Sequence, residues 1–586
     1  MLTVAEAKRW AGFFTARNTV LLLAAALVAF LAAVPILFLL WGSFKEAGTT
    51  LVADLTLRHL TLRNFLQAYS DPKIIGYLGN TLIFAAGAMA ISLFFGSSIA
   101  FLVERTNTPF RNIIYGLMFI PLVMPSMVKA IAWIFLLSPN AGLLNKLWLS
   151  LGFSAPLFNA YSWPAMWWVE GLSLSPMTFF MLGAAFRGMD PALEEAAYTA
   201  GGTKTITFYR ITLKLMTPAL AAVALLMFVR GIEGLDVPLI MGSAQGMMVY
   251  ATQIYSALKL SVPPNYGEAF VLSIGLIVLA SIGLFYYQSI LTRSERYATV
   301  TGKGYRPRLI NLGKWRPWAG AFIFFFLFMA IILPFLVTLW TSLLPYYEAP
   351  SRESLGRLTL MNYTGLLDNP LFLLSVKNTA LMSGVVSVGG MLLATIISWI
   401  VLRLKPKGAR LLDSLAFLPF TIPSVALGFS FLVFFLYLRS IIPIYDTIWI
   451  MVLAYTIAFL PIATRFTNTG VVQIHKELED AAASSGASFF AILRRIIVPL
   501  LIPSLVAGGL SILILTVRLF SIAGILYNPD TIVLSVFVFN LWHNGSFPEL
   551  SALAIVMILF LLIVVIISRK LAQHRTMIAE AKNVPN

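Results

Sequence analysis

Six charged residues fall where the sequence supplies no water for them. Lys129 and Glu170 lie inside long apolar runs, Arg230, Glu233 and Asp236 follow the end of another, and Arg518 closes a later one. Charge at membrane depth is expensive, and it marks solute paths, gates or interhelical pairs. These residues therefore admit two readings. Either they line a polar path or outer gate that touches a transported solute, or they pair with one another, Lys129 with Glu170 for instance, and hold the bundle together without meeting cargo.

A second group carries pattern rather than reactivity. It reads Asp190-Pro-Ala-Leu-Glu194-Glu195-Ala196-Ala197-Tyr-Thr-Ala-Gly201-Gly202, and again Glu477-Leu-Glu479-Asp480-Ala481-Ala482-Ala483-Ser-Ser-Gly486. Asp190 suits an N-cap, Pro191 the first helical position, and the acids the positive end of a helix. The alanines keep one face thin, and Gly201 or Gly486 ends the helix in a left-handed conformation. Each stretch is expected to be a short amphipathic surface helix. A second helix follows it, with Tyr209-Arg210-Ile211 or Arg494-Arg495-Ile496. A thin face flanked by acids suits insertion into a groove on another protein.

Other chemistry is poorly supplied. There is no cysteine, which excludes disulfides, thiolate nucleophiles and iron–sulfur ligation, and the histidines (His59, His475, His543, His574) lack metal-ligand spacing. No metal site is expected. Ala200-Gly-Gly-Thr-Lys-Thr lacks both the glycine–lysine order of a phosphate loop and a preceding strand. No nucleophile–base constellation stands at membrane depth, so a membrane-embedded enzyme is disfavoured.

The elements that must position these groups are membrane helices. Of 586 residues, 59% are hydrophobic and 11% charged, and the mean hydropathy is +0.88. About 20 apolar residues cross a bilayer as a helix. Runs of that kind occur near 20–42, 80–103, 112–137, 163–186, 215–232 and 270–291, then near 319–344, 378–402, 411–438, 448–464, 497–517 and 552–568. The fourth, fifth, tenth and eleventh are the least clean, interrupted by Pro, Gly or charge. The first run is as long as a span and is expected to be retained rather than cleaved. Trp163, Trp167 and Trp168 are expected in an interfacial aromatic belt.

With the N-terminus in the cytoplasm, most of the 41 Lys and Arg, from Lys8 and Arg9 to Lys582, fall on the cytoplasmic side, and the net charge of +17 resides there. This is the positive-inside pattern, and it removes the case for nucleic acid. The basic stretch 292–318, with Gly302, Gly304 and Pro307, reads as a cytoplasmic linker near anionic lipid headgroups.

The halves on either side of that linker repeat. Pro35 matches Pro334, Asn80 matches Asn378, and Pro121 and Pro125 match Pro419 and Pro423, at an offset of about 300 residues. Past a shorter loop, Pro176 matches Pro461, Gly201 matches Gly486 and Pro218 matches Pro503. Lys129 has Leu427 as its partner, and Glu170 has Tyr455. Six spans per half make the repeats parallel, and a path is expected where they meet. The fold class is thus an all-α membrane protein: about twelve transmembrane helices in two pseudo-symmetric six-helix halves (1–291 and 319–586), both termini cytoplasmic. The patterned loops occupy 190–214 and 475–499.

These loops resemble the EAA signature of ABC-importer permeases: Glu-Ala-Ala, three residues, Gly, nine residues, then Ile-x-Leu-Pro. Glu195, Ala196, Ala197, Gly201, Ile211 and Leu213 match it, with Lys214 for the usual Pro. In the second half Ala481, Ala482, Gly486, Ile496 and Pro499 match, with Asp480 for Glu and Val498 for Leu. The resemblance implies coupling helices, with Glu194, Glu195, Glu479 and Asp480 on them, that dock into two copies of an ATP-binding subunit. ATP and magnesium would belong to those partners and no cofactor to this chain. It further implies a periplasmic binding protein that delivers solute, alternating access, and residence in the bacterial inner membrane. Segments such as 131–145 resemble the fused permeases of ferric iron import. Ferric iron is the first expectation, with thiamine, polyamines, phosphonates or sugar phosphates as alternatives. An ion-driven secondary carrier is the rival class, and Glu170 alone supports it thinly.

Overall fold

The computed structural model describes residues 16–46, 60–189, 192–294, 309–405 and 408–582. Lys8, Arg9, His59, Asp190, Pro191, Gly302, Gly304 and Pro307 lie outside the described residues, so the expected N-cap and most of the linker do too.

The described chain is helical, with two isolated β-bridges, Lys45 to Leu60 and Thr106 to Ile310. In the first half α1 spans Leu22–Ser43, α2 Pro72–Arg105, α3 Arg111–Val123, α4 Ser126–Leu137 and α5 Trp163–Gly188. The short α6 (Ala192–Thr199) precedes α7 (Thr205–Ile232) and α8 (Tyr266–Ile290). The second half repeats the order: α9 Gly313–Ser342, α10 Pro370–Arg403, α11 Ala409–Thr421, α12 Ser424–Ser440, α13 Ile448–Gln473, α14 Glu477–Ser484, α15 Leu493–Arg518 and α16 Phe547–Ser568. Ten helices are long and apolar enough to cross a membrane by themselves, and the pairs α3–α4 and α11–α12 raise the number to twelve.

Those two pairs correct the sequence expectation of clean third and ninth spans. The chain bends by 92° between α3 and α4 and by 110° between α11 and α12. Pro125 and Pro423 cause it. Each lacks the N–H owed to the carbonyl four residues back, and each pushes its predecessor out of the helical region. Met124 has ψ 125 and Ile422 has ψ 119. The prolines expected to interrupt other spans (Pro176, Pro218, Pro461, Pro503) instead sit singly inside continuous helices. One missing hydrogen bond is tolerated where neighbouring helices re-satisfy the backbone. Pro35 and Pro334 follow five-residue π-helical turns, Ala29–Ala33 and Phe328–Ile332, at the start of the next helical segment, where an N–H is dispensable.

Packing within each half is built on small and hydroxylated residues, as lipid gives no hydrophobic drive for helices to associate. The α2–α5 contact closes over Gly96, where a Cβ would stand 2.5 Å from Thr178, and Ser92 Oγ lies 2.7 Å from Thr178 Oγ1. In the second half a different hydroxyl pair, Ser398 and Thr467, joins α10 and α13 at 2.5 Å. Trp167 lies over Gly87 on α2, and Trp168 stands edge-on to Trp133 at 5.9 Å. Both therefore serve helix packing rather than the expected belt.

The first helix of each half packs on the last helix of its own half, α1 on α8 and α9 on α16, and also reaches across to the other half. α1 packs on α12, with Phe30 and Phe38 each 5.1 Å from the Phe434 ring. α9 packs on α4, and just beyond α9 Tyr347 stacks on Phe135 at 4.8 Å and donates its hydroxyl to the Phe135 carbonyl at 2.6 Å.

Candidate functional site

The paired motif helices α6 and α14 are held from inside the bundle by matching ion pairs. Glu194 faces inward, buried to 4% exposure, and accepts hydrogen bonds from Arg105 at the end of α2 and from Thr212 Oγ1 at 2.5 Å. In the other half Glu479 accepts from Trp399 Nε1 at 2.9 Å and pairs with Arg403 Nε at 3.2 Å. Arg403 also donates to the carbonyls of Val471, at 2.7 Å, and Ile474. Arg105 and Arg403 close corresponding helices, and Glu194 and Glu479 occupy corresponding turns, so the same tie is made twice.

This changes the part given to two of the expected coupling residues. Glu194 and Glu479 do not present their carboxylates on the outer face but fasten each motif helix to the end of a long helix. Arg105, which the charge distribution alone places among the surface cations, is 2% exposed. Asp480 and Ala481 are exposed, as is Ala196, whereas Glu195, Ala197 and Ala482 are partly covered. Leu193 (44%), Tyr198 (37%) and Leu478 (49%) add exposed apolar surface to the same helices.

Both helices end alike. Gly201 and Gly486 each have φ +82. The N–H of Gly202 bonds to the Ala197 carbonyl at 2.8 Å, and that of Ala487 to Ala482 at 3.0 Å, which is the Schellman pattern. A side chain at either glycine would be strained by the backbone, although the space around it is open. π-helical turns follow at matching places, Phe208–Thr212 and Leu493–Ile497.

The intramembrane charges gather at the other feature the prolines create. Lys129, Glu170, Asp236 and Arg518 lie within electrostatic reach of one another. Their arrangement is not the expected pairing of Lys129 with Glu170. Lys129 Nζ instead donates to the Pro121 carbonyl at 3.2 Å, and Arg518 donates to the Leu122 carbonyl. The reason is local. Pro125 cannot satisfy Pro121, the bend withdraws the next donor from Leu122, and two cations take over the exposed end of α3.

Across the bundle Arg230 stands over the Phe420 ring at 4.8 Å and pairs with Glu233 at 2.9 Å. Phe420 occupies the repeat position of Leu122. Tyr455, the partner of Glu170, donates its hydroxyl to the Leu519 carbonyl at 2.5 Å. The structure thus brings together Lys129, Glu170, Asp236 and Arg518, and ties Arg230 to Glu233 beside the second break. Sequence reasoning missed Pro121, Leu122 and Phe420 as the places the cations reach. The paired prolines were the available signal. Among the described residues no group of three or more His, Cys, Asp or Glu is placed to hold a metal ion.

Comparison with known proteins bears on both regions. The family model described as "Binding-protein-dependent transport system inner membrane component" matches residues 92–296 and again 387–576. The chain is 25% identical over 500 residues to the ferric transport system permease protein FbpB of Actinobacillus pleuropneumoniae, covering 84% of this chain and 70% of that one. It is 26% identical over 520 residues to the putative ferric transport system permease protein FbpB 1 of Haemophilus influenzae, covering 87% and 78%. A third relative, the Fe(3+)-transport system permease protein FbpB 2 of the same organism, is 21% identical over 505 residues, covering 86% and 91%.

Proposed function

Because this chain belongs to the family of binding-protein-dependent transport system inner membrane components, with the family's domain present twice, we propose that it forms the whole transmembrane pathway of an ATP-driven importer of ferric iron. Its two halves would open alternately to the two sides of the bacterial inner membrane, with both termini in the cytoplasm. A periplasmic binding protein would deliver the solute, and two copies of an ATP-binding subunit would receive α6 and α14 and carry out hydrolysis.

The observation that carries this reading is the doubled tie, Arg105 to Glu194 and Arg403 to Glu479. A short surface helix transmits force only if it is fixed to a long one. Here each motif helix is fixed by a buried charge pair to the end of α2 or α10, and it keeps its outer face uncovered. Motion of a nucleotide-binding dimer would reach the bundle through those two points. At the far end of that lever, Arg518 and Arg230 hold the broken helices of the opposite halves, where a gate between the halves would have to be.

Iron as the cargo rests on the ferric permeases, which match along most of their length and of this chain. Reconstitution with the ATP-binding subunit and binding protein tests the proposal. Proteoliposomes should take up radiolabelled ferric iron only with ATP inside and binding protein outside, and the complex should contain one copy of this chain and two ATPase subunits. Uptake of thiamine, a polyamine, a phosphonate or a sugar phosphate in place of iron would move the cargo assignment. ATP-independent uptake driven by an ion gradient would overturn the class.

A further inference from the structure

We propose that the acyl chain of an anionic membrane lipid occupies a cavity between α2, α5, α7 and α9, beside the tie that holds the first motif helix. This goes beyond the transport reading and rests on it only for the leaflet, the cytoplasmic one, that the cavity faces.

The cavity holds about 420 Å³, within the range of small-molecule sites, and its walls are mostly apolar. Phe101, Phe186, Phe208, Thr212, Met216 and Leu220 line it, and Phe322 of α9 adds a wall from the second half. Two of the lining hydroxyls are already engaged, Ser97 with the Leu93 carbonyl at 2.5 Å and Thr212 with Glu194 at 2.5 Å. Water there would find few partners. An apolar recess in a bundle bathed by lipid gains dispersion contacts when a hydrocarbon chain fills it.

The repeat shows that this recess is particular to one half. The six matching positions of the second half are Trp399, Val471, Leu493, Ile497, Leu501 and Leu505. They belong to one packed cluster, with Trp399 at 2% exposure and Ile497 at none. Trp399 is drawn into that cluster by its bond to Glu479. Phe101 has no such bond to make, because Glu194 is served by Arg105 and Thr212. Its ring turns instead to Phe186 at 5.8 Å and Phe208 at 4.9 Å. Three phenyl rings line the recess, so it does not arise from a shortage of side-chain volume.

Basic residues flank the lining on two helices. Lys214 follows the lining residue Leu213 on α7, and α9 opens with Lys314 and Arg316, all three exposed. Trp315 (72%) and Trp318 (69%) are exposed beside them. Exposed tryptophans among basic residues mark the headgroup level, and Phe322 stands one turn deeper than Trp318. Cations at that level attract an anionic headgroup while its acyl chain enters the recess.

Photolabelling tests this on the full chain with its ATPase subunits, in phosphatidylcholine nanodiscs carrying phosphatidylglycerol with a diazirine on its acyl tail. Saturable labelling is expected at Phe101, Phe208 and Met216, competed by unlabelled phosphatidylglycerol. The matching Trp399, Leu493 and Leu501 should label roughly tenfold less. Phe285 on α8, 67% exposed, reports ordinary lipid contact and should label without saturation. Phe101→Trp copies the second half and should lower labelling of the recess roughly tenfold, while labelling of Phe285 and copurification of the ATPase persist. Leu220→Phe fills the recess from α7 and should do the same if the tryptophan variant does not assemble. Lys214→Gln should weaken competition by phosphatidylglycerol relative to phosphatidylcholine. Equal labelling of the two halves, or labelling of the recess that follows Phe285 without saturation, overturns the site. The measurement uses no cargo, nucleotide or binding protein, so a failed ferric assignment leaves its result intact.

Discussion

Arg518, at the end of the second half's fifth span, donates to the carbonyl of Leu122 in the first half, at the step where α3 parts from α4. Arg230, at the end of the first half's fifth span, lies over Phe420, the residue at the same step in the second half. Each half thus extends one guanidinium to the helix break of the other. The two holds differ in strength, because one is a part-buried charge-assisted hydrogen bond and the other a contact with a ring face.

That inequality fixes an order of effects. Arg518→Met leaves the Leu122 carbonyl without its donor, and transport should fall roughly tenfold or more. Hydrolysis without binding protein should rise, because the junction is no longer held. Phe420→Leu removes only a cation–π contact, worth about 0.5–2 kcal/mol, and should give the milder form of both effects. Parallel uptake and ATPase assays would decide. A Phe420→Leu defect larger than that of Arg518→Met would show that these contacts do not hold the junction.

Pro125→Ala returns an N–H in line with the Pro121 carbonyl and makes Lys129 redundant there. The α3–α4 bend should relax, and crosslinking between the α3 end and Arg518, each replaced by cysteine in this cysteine-free chain, should decline. Pro423→Ala should straighten the other break with less effect on transport, since Leu427 stands where Lys129 would be. Equal effects at both sites would mean that the lysine plays no part in the break.

The ties of the motif helices allow a charge-exchange test. Arg105→Met strands a buried carboxylate, an effect of roughly 3–5 kcal/mol for a fully buried pair. The chain should still reach the membrane yet copurify poorly with its ATPase. Arg105→Glu combined with Glu194→Arg should recover part of that association. Arg403→Met should be milder, because the Arg403–Glu479 pair is less deeply buried, with side chains 15% and 11% exposed against 1% and 5% for Arg105 and Glu194. Pull-down yield against membrane abundance separates these outcomes.

At Gly201 and Gly486 an added Cβ would meet no neighbour within 4 Å, so backbone strain of about 1–2 kcal/mol is the main cost of a side chain there. Gly201→Val and Gly486→Val should each reduce coupling, and Gly486→Asn should be tolerated, as Asn accepts the left-handed conformation. Gly389, equally open but with an ordinary backbone, should accept alanine silently. If Gly389→Ala impairs hydrolysis as much as the valine variants, the caps are not the cause.

Much of this architecture was legible because lipid makes its demands additively along the chain. Runs of apolar residues locate spans, and repeated Pro, Gly and Asn locate the second half. The left-handed caps were legible because a glycine closing each alanine-rich turn is the residue that most easily takes that geometry. The direction of Glu194 and Glu479 was not, since two adjacent acids on a short helix look equivalent until Arg105 and Arg403 are brought beneath one of them. The fate of Lys129 was hidden for a similar reason. An opposite charge in a neighbouring span is an obvious partner on paper, whereas the carbonyl that outcompetes it exists only because Pro125 has no hydrogen to offer. The prolines themselves were read by number rather than spacing, so the single ones were expected to disrupt and the paired ones were not.

The reach of each first helix into the other half, α1 to α12 and α9 to α4, sets a schedule for the ribosome. α1 precedes the other described spans, yet the part of its seat formed by α12 is not synthesised until the ninth is complete. Throughout that interval its phenylalanines, Phe30 and Phe38, must face lipid or an insertion chaperone rather than Phe434. A nascent chain arrested at the linker would therefore present two vacancies at once, an α1 packed on α8 alone and an uncovered α4. Membrane quality control could read both as the mark of an unfinished protein. Joining the halves in one polypeptide shortens the wait to a single round of translation, and it ensures that the seat that arrives was made by the same message.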